Sequence, residues 1–134
     1  MSPTPEIGKT DPRRLRGLVD RSAALAREHE VVSVFVGIAG REGDLLVPEF
    51  ISFVESALRV EDAIFSMTRE RALVLLVDVD RAGAEVILER VRSDFQNRFP
   101  VAASLDVSVQ FYEVRQGIHP TAKEILPRIF TRRA

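Results

Sequence analysis

The sequence contains no cysteine and no tryptophan, and it has only two histidines among its 134 residues. The absence of cysteine excludes a disulfide framework, a thiolate metal site and a cysteine nucleophile. No apolar run approaches the roughly 18 residues that a membrane-spanning helix needs, and the first ten residues lack the apolar core of a secretory signal. We therefore expect no membrane insertion and a cytoplasmic location.

Excess charge of one sign is also missing, because the formal net charge is -1 and the isoelectric point is about 6.1. This balance argues against a nucleic-acid partner, which usually demands a basic surface. The apolar fraction of 46% and the charged fraction of 29% are typical of a soluble globular protein, and the length is that of one domain. We expect residues 1–10 to form a flexible leader and residues 11–134 to form a single domain, with an N-terminal helix at 11–30 and a core at 31–130.

Hydrophobic periodicity and capping residues predict the order of the secondary-structure elements. Asp11 and Pro12 have the residue types of an N-cap and a first helical position, so they open the first helix. The elements predicted after it are a strand at 31–39, a helix at 47–59, strands at 62–68 and 72–78, a helix from the Asp80 cap to about 98, a strand at 106–114, and a short helix opened by the Thr121–Glu124 capping box. The strands at 62–68 and 72–78 are too close for a crossover connection, so they form an antiparallel hairpin.

The core order β-α-β-β-α-β is that of the ferredoxin-like fold. It predicts an α+β architecture: a four-stranded antiparallel sheet with both long helices on one face, because crossovers are right-handed, plus an N-terminal helix and a short C-terminal helix. The second face of the sheet then needs a cover, which either the N-terminal helix or a partner can supply.

Three short segments have a characteristic spacing. Gly43-Asp44 stands 16 residues before Arg59, the segment 58–62 reads Leu-Arg-Val-Glu-Asp, and five residues further on the segment 68–72 reads Thr68-Arg69-Glu70-Arg71-Ala72. A hydrophobic strand follows at once. Over about 100 residues from Val31 onwards, this pattern resembles a GGDEF domain, the diguanylate cyclase family. In that comparison, residues 58–62 match the family's L-R-x-x-D segment and residues 68–72 stand in place of its G-G-D-E-F hairpin.

The resemblance implies a site for phosphoryl transfer, in which aspartates on the first strand and an acid in the hairpin hold Mg²⁺. In this chain the first strand ends Gly37-Ile38-Ala39, which offers no ligand oxygen, and the stretch that follows is about ten residues shorter than in the family. The hairpin keeps one acid, Glu70, between two arginines, where a hard cation needs carboxylates. We therefore predict a degenerate, non-catalytic domain with no metal site and no cofactor, and keep an active cyclase only as the least favoured alternative.

The pair Arg59-x-x-Asp62 is what remains of the family's functional residues. In the family an R-x-x-D at this position is the inhibitory site that binds the product, cyclic di-GMP. A guanidinium is a forked donor to phosphate or to guanine O6 and N7, and a carboxylate can accept from guanine N–H groups. Arg69 and Arg71 can add phosphate contacts. Two structural alternatives stand beside this: a local Arg–Asp pair at a helix end, and a charged turn that protects a sheet edge.

Two functions follow from these observations, and both remain open at this point. The first, slightly favoured, is a regulatory module that binds another signalling protein or a second copy of itself. The second is a receptor that binds cyclic di-GMP through Arg59 and Asp62. The pair Asp78 and Asp80 has the look of a metal-binding D-x-D motif, but we interpret it as a strand end followed by a helix cap.

Overall fold

The computed structural model describes residues 11–130, and the predicted leader at 1–10 lies outside the described residues. The helices and strands are α1 (Pro12–His29), β1 (Ser33–Gly40), α2 (Leu46–Ala57), β2 (Ala63–Thr68), β3 (Arg71–Val77), α3 (Arg81–Arg98), β4 (Val107–Val114) and α4 (Ala122–Ile129), with a 3₁₀ turn (Pro100–Ser104) before β4. The predicted α+β class and the predicted order of elements are confirmed.

The helix starts follow the capping chemistry that the sequence indicates. The Asp11 carboxylate accepts from the backbone N–H of Arg13 at 2.9 Å, and the Asp80 carboxylate accepts from that of Gly83 at 2.8 Å. The Thr121 hydroxyl accepts from the backbone N–H of Glu124 at 3.2 Å. Asp80 is therefore engaged as a cap, and within residues 11–130 no group of three or more metal-ligating side chains is found.

The four strands form one antiparallel sheet in the order β2-β3-β1-β4. The predicted hairpin joins β2 and β3 through a two-residue turn, Arg69-Glu70, because Thr68 pairs with Arg71. Neither turn residue has a positive φ, so the turn is not one of the primed types that glycine favours. A register shift between Ser66 and Thr68 accompanies this turn.

Both faces of the sheet are covered by the chain itself. On one face α2 and α3 pack on side chains such as Val36 and Val74, and Phe50 and Phe95 meet there edge to face at 5.3 Å. On the other face α1 and α4 pack on a second cluster that includes Phe35. The cover that the second face requires is therefore supplied by α1 together with α4. Within the described residues, no helix combines the length and the apolar character needed to cross a membrane.

Candidate functional site

The segment Thr68–Ala72 forms the hairpin between β2 and β3. This hairpin faces a surface cleft of about 430 Å³. The charged residues lining it are Glu42, Glu70 and Arg71. The Glu70 carboxylate accepts from the backbone N–H of Gly43 at 3.4 Å. The Arg71 guanidinium carbon lies 5.4 Å from the centre of the Phe130 ring, which is within the range of a cation–π contact. One cation thus lies in a cleft that offers only two carboxylates to a metal.

The tip of β1 is closed over by α4. A Cβ atom added at Gly37 would stand 2.4 Å from the backbone oxygen of Ile129 and 2.7 Å from its Cβ. Ile38 is fully buried in the core under α2 and α3. An oxygen-bearing side chain at Gly37 therefore cannot be accommodated unless α4 moves away from the sheet.

Asp62 immediately precedes β2 and lies beside Val77, at the opposite end of β3. Its side chain is only 2% exposed. One carboxylate oxygen accepts from the backbone N–H and the Nε–H of Arg59, at 3.0 and 3.2 Å. The other accepts from Arg59 Nη2 at 3.2 Å and from the backbone N–H of Val77 at 3.0 Å. A carboxylate has about four lone-pair positions, so these four bonds use all of them. Asp62 is therefore saturated by its own chain.

Arg59 is held from one side and open on the other. Its Nε and Nη2 groups bond Asp62, and Nη2 also donates to the backbone oxygen of Val77. The side chain is still 46% exposed, and Nη1 makes an ion pair of 3.2 Å with Glu61, itself 45% exposed. The hydrogen bonds that Arg59 donates to Asp62 raise the pKa of Arg59, and burial opposes this rise only in part, so the group is a fixed cation.

A small apolar pocket of about 170 Å³ lies beside Arg59 and Asp62, between the end of α2 and α3. Its apolar walls include Leu58 and Ile87. Ligand pockets usually measure about 300–1,000 Å³, so a nucleotide-sized ligand must rest across the mouth of this pocket and cannot enter it.

Val60, next to Arg59 in the sequence, is fully exposed. Ile87 of α3 lines the pocket, and sequence reasoning did not identify it as a site residue, because its place beside Arg59 follows only from the packing of α3 against the end of α2. Arg90 lies in a different surface depression, together with Glu85 and Glu89.

The two candidate regions are separated by the length of β3. Arg71 begins the strand and Val77, which contacts Arg59 and Asp62, ends it. At about 3.3 Å per residue this is about 20 Å. The structure thus brings Arg59 and Asp62 together as one pair, and it does not bring Arg69 or Arg71 to that pair.

No protein-family model and no curated protein matches this sequence. Among solved structures, PelD from Pseudomonas aeruginosa PA14 in complex with c-di-GMP matches 90% of this chain with a TM-score of 0.67 and 25% identity. PelD from P. aeruginosa PAO1 in complex with c-di-GMP matches 93% with a TM-score of 0.64 and 24% identity. The chain spans 44% of the length of each of these PelD chains.

The FimX GGDEF domain from P. aeruginosa is similar over 90% of this chain and 88% of that domain, with a TM-score of 0.68 and 13% identity. At that identity the similarity shows only that the two backbones share a fold. Together with the observed strand order, these neighbours show that the chain has a GGDEF-like fold, as the spacing of its motifs predicts.

Proposed function

We propose that this domain is a non-catalytic GGDEF-like receptor that binds cyclic di-GMP at the surface around Arg59. One observation carries the proposal: the Arg59 guanidinium is anchored by the buried Asp62 carboxylate, while the side chain stays 46% exposed and its Nη1 group pairs with the exposed Glu61. The similarity to PelD supports it, because two of the matching PelD structures hold c-di-GMP.

The recognition chemistry follows from which donors and acceptors are still available. A phosphate oxygen or guanine O6 can accept from Arg59 Nη1. Val60 offers an exposed apolar contact for a base. In this scheme Asp62 holds Arg59 in place, because its own acceptor positions are already filled.

Glu61 competes with the ligand for the same edge of Arg59. Its carboxylate pairs with Nη1 at 3.2 Å and carries the same sign of charge as a phosphate. Exposed ion pairs of this kind contribute about 0.2–1 kcal/mol. We therefore expect Glu61→Gln to tighten binding of cyclic di-GMP by about two- to fivefold, whereas Glu42→Gln, in the cleft at the far end of β3, leaves the affinity unchanged.

The absence of catalysis is supported by the chemistry of the β1 tip. Residues 37–40 contribute no side-chain oxygen, α4 lies against Gly37, and the cleft below the hairpin contains Arg71. Losing metal contacts removes several kcal/mol of transition-state stabilisation. We expect no dinucleotide product from GTP and Mg²⁺, and product formation above that of a buffer blank would overturn this part of the proposal.

Calorimetric titration with cyclic di-GMP tests the receptor function. We expect binding by the wild-type chain and its loss in Arg59→Ala. Arg69→Ala is the matched control: it removes the same charge from an exposed turn about 20 Å away and should leave binding intact. The proposal is refuted if cyclic di-GMP gives no heat of binding at tens of micromolar protein, or if the wild type and Arg59→Ala bind it with equal affinity.

Association with another signalling protein or with a second copy is the second candidate function. Phe99 directly follows α3 and Val101 lies in the 3₁₀ turn after it. Both are exposed apolar residues, which favours a contact there. An uncovered sheet face no longer argues for it, because α1 and α4 cover that face. Sedimentation analysis distinguishes the cases: a dimer that Val101→Asp dissociates supports self-association, and a monomer at all concentrations rejects it.

A further inference from the structure

We infer that Arg21 of α1 positions the loop Arg59–Asp62 and thereby couples the docking of α1 to ligand binding at that loop. This rests on the proposed function, since the ligand is the one proposed above. The observation is a hydrogen bond of 2.9 Å from Arg21 Nη2 to the backbone oxygen of Glu61, between residues 40 positions apart. It ties α1 directly to the loop that presents Arg59.

A second bond fastens the same flank of α1 to the sheet. Arg14 Nη2 donates to the backbone oxygen of Ile64 in β2 at 3.2 Å. Arg14 and Arg21 are seven residues apart, or two helical turns, so they project from one flank of the helix. Ile64 belongs to β2, an edge strand of the sheet, and Glu61 lies in the loop that leads into this strand. The orientation of α1 and the position of residues 61–64 are thus linked at two points.

The packing of α1 against the sheet leaves one buried polar group without a hydrogen-bond partner in the described part of the chain. Arg14 Nε is buried and has no hydrogen-bond partner within residues 11–130, and an unsatisfied buried donor opposes docking. We therefore expect the bond from Arg21 to affect how often α1 separates from the edge of the sheet.

Glu61 links the two processes because it is contacted from both sides. Its side chain pairs with Arg59 Nη1 and its backbone oxygen accepts from Arg21. A ligand that accepts a hydrogen bond from Nη1 displaces the Glu61 side chain, and it restrains the loop because Arg59 is bonded to Asp62. A restrained loop keeps the backbone oxygen of Glu61 in position to accept from Arg21. Coupling between two sites is reciprocal, so ligand binding strengthens α1 docking and loss of Arg21 weakens ligand binding.

The binding arm of the test is titration of the whole chain and its variants with cyclic di-GMP. We expect Arg21→Ala to weaken the affinity about fivefold, a coupling of ordinary size. Arg21→Lys should recover most of the loss, because an ammonium group can still donate to one carbonyl. Arg16→Ala is the control: it removes an exposed arginine from the same helix and should change the affinity less than twofold.

The second arm is hydrogen exchange of the α1 amides with and without cyclic di-GMP. We expect the ligand to slow their exchange in the wild type and in Arg16→Ala but not in Arg21→Ala. If the wild type binds, yet Arg21→Ala binds equally well or shows the same ligand-dependent slowing, the coupling is refuted while the receptor function stands.

A ligand-free measurement keeps the positioning role separate from the receptor function. The backbone N–H of Asp62 donates to the backbone oxygen of Arg59 at 3.0 Å, and its exchange reports how well the loop is held. We expect faster exchange of this amide in Arg21→Ala than in Arg16→Ala. If the wild type does not bind cyclic di-GMP, the receptor function and the coupling fail together, and this exchange rate alone decides whether Arg21 positions the loop.

Discussion

Replacement of the buried Asp62 carboxylate by an amide is the perturbation with the clearest expected result. Asp62→Asn keeps the size of the side chain but removes its charge and turns one acceptor into a donor. The carboxylate faces only donors, namely three N–H groups of Arg59 and the backbone N–H of Val77. An amide nitrogen placed among them leaves at least one buried donor without an acceptor, whichever way it is turned.

The magnitude follows from the kind of contact that is lost. Hydrogen bonds to charged groups contribute about 1.5–3 kcal/mol each, and breaking a buried ion pair costs about 3–5 kcal/mol. Arg59 is 46% exposed and regains hydration when its partner is neutralised, so we expect the low end, about 3 kcal/mol. The free energy of unfolding of a domain is usually about 5–15 kcal/mol, so the variant should still fold.

Urea unfolding followed by circular dichroism measures this loss. With a slope of about 1.5–2 kcal/mol/M for a domain of this size, the midpoint should fall by about 1.5–2 M. Glu61→Gln is the matched control, because it removes an exposed partner of the same arginine and should cost less than about 0.5 kcal/mol. If both variants shift the midpoint equally, Asp62 does not anchor Arg59, and the argument that Arg59 is pre-positioned for a ligand is refuted.

Three further substitutions test other parts of the structure. Gly37→Ala should destabilise the fold by about 2–3 kcal/mol because its Cβ meets α4, whereas Gly17→Ala, with open space around it in α1, should stabilise by about 0.5–1 kcal/mol; equal urea midpoints would contradict the close approach of α4. The hydrogen bond from Arg115 lowers the pKa of Glu113 below its ordinary 4.5. The charged Glu113 therefore stabilises the fold fully above pH 4.5, and this stabilisation is lost as the pH falls through the lowered pKa of the folded state. Glu113→Gln should therefore reduce the melting temperature at pH 7 and flatten its decline below about pH 4.5, and a decline as steep as that of the wild type would exclude this role. Thr121→Ala should cost about 1 kcal/mol through loss of the α4 cap, visible as a lower thermal midpoint and absent if α4 is held by burial alone.

The secondary structure and the pairing of β2 with β3 followed from patterns that are local in sequence. The Asp80 and Thr121 caps bond backbone groups three residues away, and the hairpin joins strands separated by two residues. Side-chain periodicity and cap chemistry act over a few residues, so they can be recognised without knowing the rest of the chain. The R-x-x-D segment was likewise visible as a motif, and so was the absence of side-chain oxygens from residues 37–40.

The sequence by itself therefore determined the order of the elements, the class of fold and the chemical types available at each end of the sheet. Only the tertiary structure decided that Val77 completes the donors around Asp62, that Arg71 lies a strand length away from this pair, and that Arg21 reaches the carbonyl of Glu61. The bonds Val77–Asp62 and Arg21–Glu61 join residues 15 and 40 positions apart. Their geometry depends on the crossovers, the strand register and the packing of α1 against the sheet edge, and no pattern within a few residues specifies those distances.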